Sequence, residues 1–131
     1  MKIDHVALWT FDLERTKSFY EKYFGAKTGA KYFNPKKDFE SYFLSFKDGC
    51  RLEIMRMPGV IKLDSLPPGG KQRAGLIHFA ISVGSQAAVD TLTERLRTDG
   101  YEIVGEPRLT GDGYYESVVL DPDGNRIEIT I

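Results

Sequence analysis

The chain repeats itself. The stretch FKDGCRLEIM (46–55) returns as LDPDGNRIEIT (120–130), matching at Asp-Gly, then Arg, an aliphatic residue, Glu and Ile. The opening IDHVALW (3–9) returns as LIHFAIS (76–82), which aligns His5 with His78. Glu53 and Glu128 are the matching acids. Two copies of one short pattern confine the chain to folds with internal symmetry. A copy of this size buries little core alone, so the two are expected to pack together, within one chain or between chains.

Each copy reads as βαβββ. After its first strand the first half has DLERTKSFYEKYFG (12–25), with Asp12 as N-cap, Gly25 as stop, and Leu13, Tyr20, Tyr23 and Phe24 at helical spacing. The second half has SQAAVDTLTERLRTDG (85–100), with Val89, Leu92 and Leu96 as the apolar stripe and Gly100 as the stop. Strand-like runs follow at about 27–33, 40–47 and 50–57, and at about 101–106, 114–120 and 126–131. The Pro- and Gly-rich stretch 58–75 divides the halves. The expectation is an α+β fold with one domain over 1–131: module one 1–57, connector 58–75, module two 76–131, the strands forming a curved mixed sheet.

Strand alternation then sorts the side chains. Val6, Leu8, Leu52, Ile54, Phe79, Ile81, Ile127, Ile129 and Ile131 share the helix-facing parity. His5, Glu53, His78 and Glu128 take the opposite, more polar face, together with Arg51 and Arg126. Alone, a strand His is most often structural and a strand Glu most often solvated. Here the only two histidines, and two glutamates, fall at equivalent places in a repeat. Two imidazoles and two carboxylates on one surface suit a divalent transition metal bound through N and O donors.

Bulk properties remove other classes. A formal net charge of −1 gives no case for a nucleic-acid or anionic-membrane partner. No apolar run is long enough to span a bilayer, and MKIDHVALW reads as a strand rather than a signal peptide. A single cysteine, Cys50, allows no internal disulfide, which fits a reducing, cytoplasmic setting.

On DHVALWTFDLERTKSFYEKYFG, LEIM, GLIHFAISV and DPDGNRIEI, the chain resembles the vicinal oxygen chelate superfamily. That superfamily includes glyoxalase I, methylmalonyl-CoA epimerase, extradiol dioxygenases, and fosfomycin and bleomycin resistance proteins. The resemblance implies two βαβββ modules forming a cup around one divalent metal. The His, Glu, His, Glu set of compact bacterial glyoxalase I matches His5, Glu53, His78 and Glu128 one by one. It implies Ni2+ or Zn2+ as the metal, with Co2+, Mn2+ and Fe2+ as further candidates.

The implied activity is that of a lactoylglutathione lyase-like isomerase or lyase. A 2-oxoaldehyde–thiol hemithioacetal becomes a 2-hydroxyacyl thioester through a metal-stabilised enediolate. Glu128 is the implied base and Glu53 its partner across the site. The chain departs from the compact glyoxalases at Trp9, where they tend to have Arg, and at Met57, where they tend to have Asn. Trp9, Met55 and Met57 would make a more apolar wall, or pack as core. Lys62, Lys71 and Arg73 of the connector are solvated charges or contacts for an anionic substrate group. Arg51 and Arg126 pair with acids, orient substrate or lie outside the cup. Tyr114 and Tyr115 read as strand packing, and Cys50 receives no role.

The alternatives are an epimerase, a dioxygenase, a thiol-transfer resistance enzyme and a metal-free drug-binding module of the bleomycin-resistance kind. Glu53 counts against the epimerase and the thiol-transfer enzyme, and a fourth protein ligand suits a dioxygenase poorly. The partners expected are a small-molecule substrate and a second copy of the chain in a homodimer, with no nucleic acid and no membrane.

Overall fold

A computed structural model describes residues 1–62 and 74–131. The chain divides into two compact units, Met1–Lys62 and Leu63–Ile131, the second described from Ala74 onward. Lys71 and Arg73, named above, lie outside the described residues.

The first unit runs β1 (His5–Trp9), α1 (Leu13–Phe24), β2 (Lys27–Thr28), β3 (Tyr32–Asn34), β4 (Phe39–Ser45) and β5 (Arg51–Arg56). The chain enters α1 through Asp12, whose side chain accepts the Arg15 backbone N–H, and leaves it at Gly25. The sheet is mixed: β5 lies between parallel β1 and antiparallel β4. The expected strand 27–33 is broken into β2 and β3, which pair successive parts of β4. Between them Gly29 still donates its N–H to the Phe43 carbonyl, so the run bends without losing contact with β4.

Strand parity predicted part of the core: Leu52, Ile54, Ile127 and Ile129 are buried, whereas Val6, Leu8, Phe79 and Ile81, on strands at the ends of their sheets, are half-buried and Ile131 is exposed. Leu44, Leu52 and Ile54 are buried, as are Leu13, Phe19, Tyr20 and Tyr23 of α1, which packs on β4 and β5. Each such side chain contributes roughly 1.5–3 kcal/mol on full burial. Phe19 and Thr16 were not in the expected stripe. Thr16 is buried because its hydroxyl lies 2.7 Å from that of Thr10, also buried. A satisfied hydroxyl can occupy a core position that hydropathy assigns to an aliphatic residue.

The second unit repeats the plan: β6 (His78–Ser82), α2 (Gln86–Thr98), β7 (Ile103–Leu109), β8 (Tyr115–Leu120) and β9 (Arg126–Thr130), in sheet order β6-β9-β8-β7. Again the last strand is parallel to the first. Ser85 caps α2 by accepting the Ala88 N–H. Val89 and Leu96 pack with Val119, Ile127 and Ile129, all of them fully buried. The repeated Asp-Gly turn before each final strand places Gly49 and Gly124 in the left-handed region, at φ 84° and 89°. That conformation costs glycine little and other residues more. The turn fixes the parity of the strand that follows, and with it the side on which Glu53 and Glu128 emerge. No helix among the described residues is long and apolar enough to cross a membrane.

Candidate metal centre

In the first unit the parallel register pairs Ala7 with Glu53 and His5 with Arg51. His5 and Glu53 therefore share the face away from α1, one step apart along neighbouring strands. His5 Nε2 lies 3.9 Å from Glu53 Oε2, with the imidazole 39% exposed and the carboxylate 16% exposed. The ring is held from two sides, and a third residue braces both holders. Its Nδ1 is 2.9 Å from Asp4 Oδ2. The Phe43 ring meets it edge-on at 5.2 Å between centroids. Arg51 lies over the same Phe43 ring, 4.4 Å from its centre, and donates to Asp4 Oδ2.

The hydrogen bond from the His5 ring, followed by the hydrogen bond and charge of Arg51, holds the Asp4 carboxyl below the usual carboxylate range. An ionised carboxylate only accepts, so Nδ1 carries the proton in neutral His5 and Nε2 carries the lone pair. That lone pair sits beside Glu53. A carboxylate behind the distal nitrogen is the usual support for a metal-binding imidazole.

In the second unit the register pairs His78 with Arg126, and Ala80 and Val118 with Glu128. His78 Nε2 and Glu128 Oε2 are 3.2 Å apart, with side chains 40% and 19% exposed. An imidazole lone pair and a carboxylate oxygen at this distance repel unless a proton or a cation lies between them. A hollow of about 470 Å3 opens beside Glu128, lined by Val104, Gly105, Glu106, Arg108, Val118 and Arg126. A Cβ on Gly105 would come within 3.1 Å of Val118 Cγ2, so glycine keeps this side of the hollow clear. A second hollow, along α2 between Asp90 and Asp99, holds neither pair.

The donor chemistry of each pair fits a divalent metal: one imidazole nitrogen and one carboxylate oxygen, side by side and reachable from solvent. Among the described residues no group of three or more His, Cys, Asp or Glu side chains gathers at metal-binding spacing. The structure brings His5 together with Glu53, and His78 together with Glu128, as one pair in each unit.

The other candidates separate. Trp9 meets Phe39 edge-on at 6.1 Å, and Phe39 lies 6.0 Å from Tyr32, an aromatic row at the far end of the His5 face. Trp9 remains 42% exposed, so it is not core packing within its unit. Met57 follows β5 and is half-buried. The Tyr115 hydroxyl donates to Asp90 of α2, away from the pair, and Tyr114 is exposed. Lys62 is exposed and Cys50 half-buried. Sequence reasoning missed Asp4. Its signal was there: Asp precedes His in IDHV, and Ile77 takes that place in LIHF.

A profile of the Glyoxalase/Bleomycin resistance protein/Dioxygenase superfamily matches residues 2–129. Lactoylglutathione lyase GLX1 of Arabidopsis thaliana is 31% identical over 126 residues, covering 95% of this chain and 42% of that protein. The uncharacterized protein YqjT of Bacillus subtilis (strain 168) is 30% identical over 129 residues, covering 95% of this chain and 94% of that one. Among solved structures, glyoxalase I from Zea mays superposes with a TM-score of 0.78 at 28% identity, over 98% of this chain and 44% of that one. The trypanothione-dependent glyoxalase I of Leishmania major gives 0.76 at 26% identity, over 99% and 86%. The chain spans about two-fifths of the length of the plant lyases it matches.

Proposed function

We propose a metal-assisted isomerase of glyoxalase I type for this chain, which belongs to the Glyoxalase/Bleomycin resistance protein/Dioxygenase superfamily. One observation carries the reading: the repeat delivers a His–Glu pair to the same face of both sheets, at 3.9 and 3.2 Å. His5, Glu53, His78 and Glu128 are the proposed ligands of one divalent cation, Ni2+ or Zn2+ before Co2+, Mn2+ or Fe2+. Such a cation supplies Lewis-acid stabilisation of negative charge developing on two adjacent substrate oxygens.

The remaining work falls to side chains. The proposed substrate is the hemithioacetal of a 2-oxoaldehyde and a thiol, and the product a 2-hydroxyacyl thioester. Glu128 takes the proton from the thiol-bearing carbon and returns it to the neighbouring carbon, while the hydroxyl proton passes from the first substrate oxygen to the second, so no atom is gained or lost. A carboxylate suits this because it accepts and then donates within hydrogen-bond reach. Arg126, on the same strand and face, lines the hollow beside Glu128, which supports the proposal that it orients an anionic substrate group. Glu53 is proposed as the second carboxylate of the site.

The aromatic row Trp9–Phe39–Tyr32 favours a thiol with an apolar end over one recognised through Arg and Asn. The same row supports a second reading, a metal-free binding module for an aromatic compound. One experiment tests both: turnover of hemithioacetals made from a panel of thiols, with metal content measured on the same sample. Turnover that tracks metal content supports the isomerase. Tight aromatic binding with neither metal nor turnover supports the module. We further propose a homodimer, on the ground that small sheet modules present edges for pairing. Light scattering in dilute solution checks it, and a monomer mass ends that proposal.

A further inference from the structure

We propose that Asp4 is the positioning residue of His5, fixing the ring as the Nδ1–H tautomer so that Nε2 is presented to Glu53. Asp4 Oδ2 accepts a hydrogen bond from Nδ1–H at 2.9 Å and is itself gripped by the Arg51 guanidinium. The backbone sets this up, since the Arg51 N–H also donates to the Asp4 carbonyl at 3.0 Å. Phe43 completes the clamp, edge-on to His5 and face-on to Arg51. Two side chains thus meet the His5 ring directly, Asp4 at Nδ1 and Phe43 by ring contact, and Arg51 touches both of them. Ile77 stands where the second copy would need its aspartate, so the device belongs to one half of the repeat only.

A carboxylate on the distal nitrogen fixes ring orientation and raises the basicity of the other nitrogen. The consequence for metal affinity rests on the ligand set proposed above; the tautomer does not. Asp4 is 61% exposed on its side chain, so its replacement leaves the core intact.

The test uses the whole chain without metal, then with Zn2+ alone. Long-range proton–nitrogen spectra, taken well above the ordinary imidazole pKa, report the tautomer of each histidine. Wild type is expected to show His5 as Nδ1–H. In Asp4→Ala, His5 is expected to shift toward the Nε2–H form that free imidazoles favour, with His78 unchanged. Zn2+ affinity is expected to fall by roughly 10–100-fold, the usual scale for such a partner. Asp4→Asn, which keeps an acceptor oxygen and loses the charge, should fall between the two. An unchanged His5 tautomer in Asp4→Ala overturns the proposal, whatever the metal does. Absence of Zn2+ binding in wild type, with the tautomer still set by Asp4, removes the metal reading and leaves the positioning role standing.

Discussion

In the first unit Arg51 is committed to Asp4, which in turn holds His5 at Nδ1. In the second the matching Arg126 lines a hollow beside Glu128, and Ile77 replaces the aspartate. The second unit braces its strand elsewhere. Asp121 accepts the backbone N–H groups of Asp123 and Asn125 at 2.9 and 2.8 Å, tying the turn that leads into Glu128. The matching position before Glu53 is Phe46. One half has its local carboxylate on the histidine, the other on the turn behind the glutamate. On the proposed function the difference is a division of labour: a clamped imidazole suits a fixed ligand, and an open hollow beside a carboxylate suits proton transfer to a bound substrate.

The largest expected effect breaks that division at Glu128. Glu128→Gln keeps the size and one donor oxygen and removes the basicity. Turnover is expected to drop by a factor on the order of 10² or more, with much of the metal retained. Glu128→Ala is expected to lose metal as well. Glu53→Gln, in the clamped half, is expected to lose less activity than Glu128→Gln. Kinetics on the best hemithioacetal of the panel check the ranking, and equal losses would erase the contrast between the halves.

The next effect is on stability and compares two buried hydroxyl pairs. Thr16 meets Thr10, whose hydroxyl also donates to the Asp12 carbonyl and accepts the Asp12 N–H, both at 3.1 Å. Thr93 donates to the Val89 carbonyl at 2.7 Å and lies 2.6 Å from the hydroxyl of Ser117, which is fully buried. Thr93→Val leaves the Ser117 hydroxyl buried without this partner, at a cost of about 1–3 kcal/mol. Thr16→Val is expected to cost less, because Thr10 keeps its backbone partners. Urea unfolding of both variants measures the difference, and a larger loss at Thr16 would contradict it.

These pairs also show where sequence reading stops. Each copy's βαβββ order, both helices, the parity of the final strands and the shared face of each His with the Glu of its own copy were legible, because periodicity and repetition are local signals; that they meet as two pairs was not read. Asp4 was overlooked because its partner Arg51 is distant in the chain and close only across the parallel β1–β5 register. Thr16, Thr93 and Ser117 were unreadable as core because a hydroxyl looks polar until its partner is known. The division of 27–33 into two short strands depended on where β4 offered an edge.

A smaller effect sharpens the comparison by copying the clamp. The register His78 with Arg126 mirrors His5 with Arg51. Ile77→Asp would therefore put a carboxylate between the ring of His78 and the guanidinium of Arg126. The expected result is a shift of His78 to the Nδ1–H tautomer and a rise in Zn2+ affinity of about tenfold, the low end for such a partner. Turnover should fall if Arg126 meets substrate, since its charge would then be shared. Titration with Zn2+ and KM on the same variant read the two effects separately; unchanged affinity and unchanged tautomer would show that the halves differ by more than this one side chain.

The smallest expected effect concerns the two helix caps. Asp12 and Ser85 each accept an N–H from the first turn, Arg15 and Ala88 respectively. Loss of either cap costs about 1 kcal/mol. The two should still differ. Asp12 adds a negative charge at the positive end of α1, where such a charge contributes about 0.3–1 kcal/mol at low salt. Ser85 adds none, and the first turn of α2 holds no acid at all, whereas α1 also has Glu14. Asp12→Ala should therefore destabilise more than Ser85→Ala in dilute buffer, and the gap should narrow as salt screens the charge. Thermal unfolding of both variants at low and high ionic strength reads the gap directly. A gap that stays constant with salt would place the difference in the side-chain hydrogen bond that Asp12 accepts from the Arg15 N–H rather than in its charge.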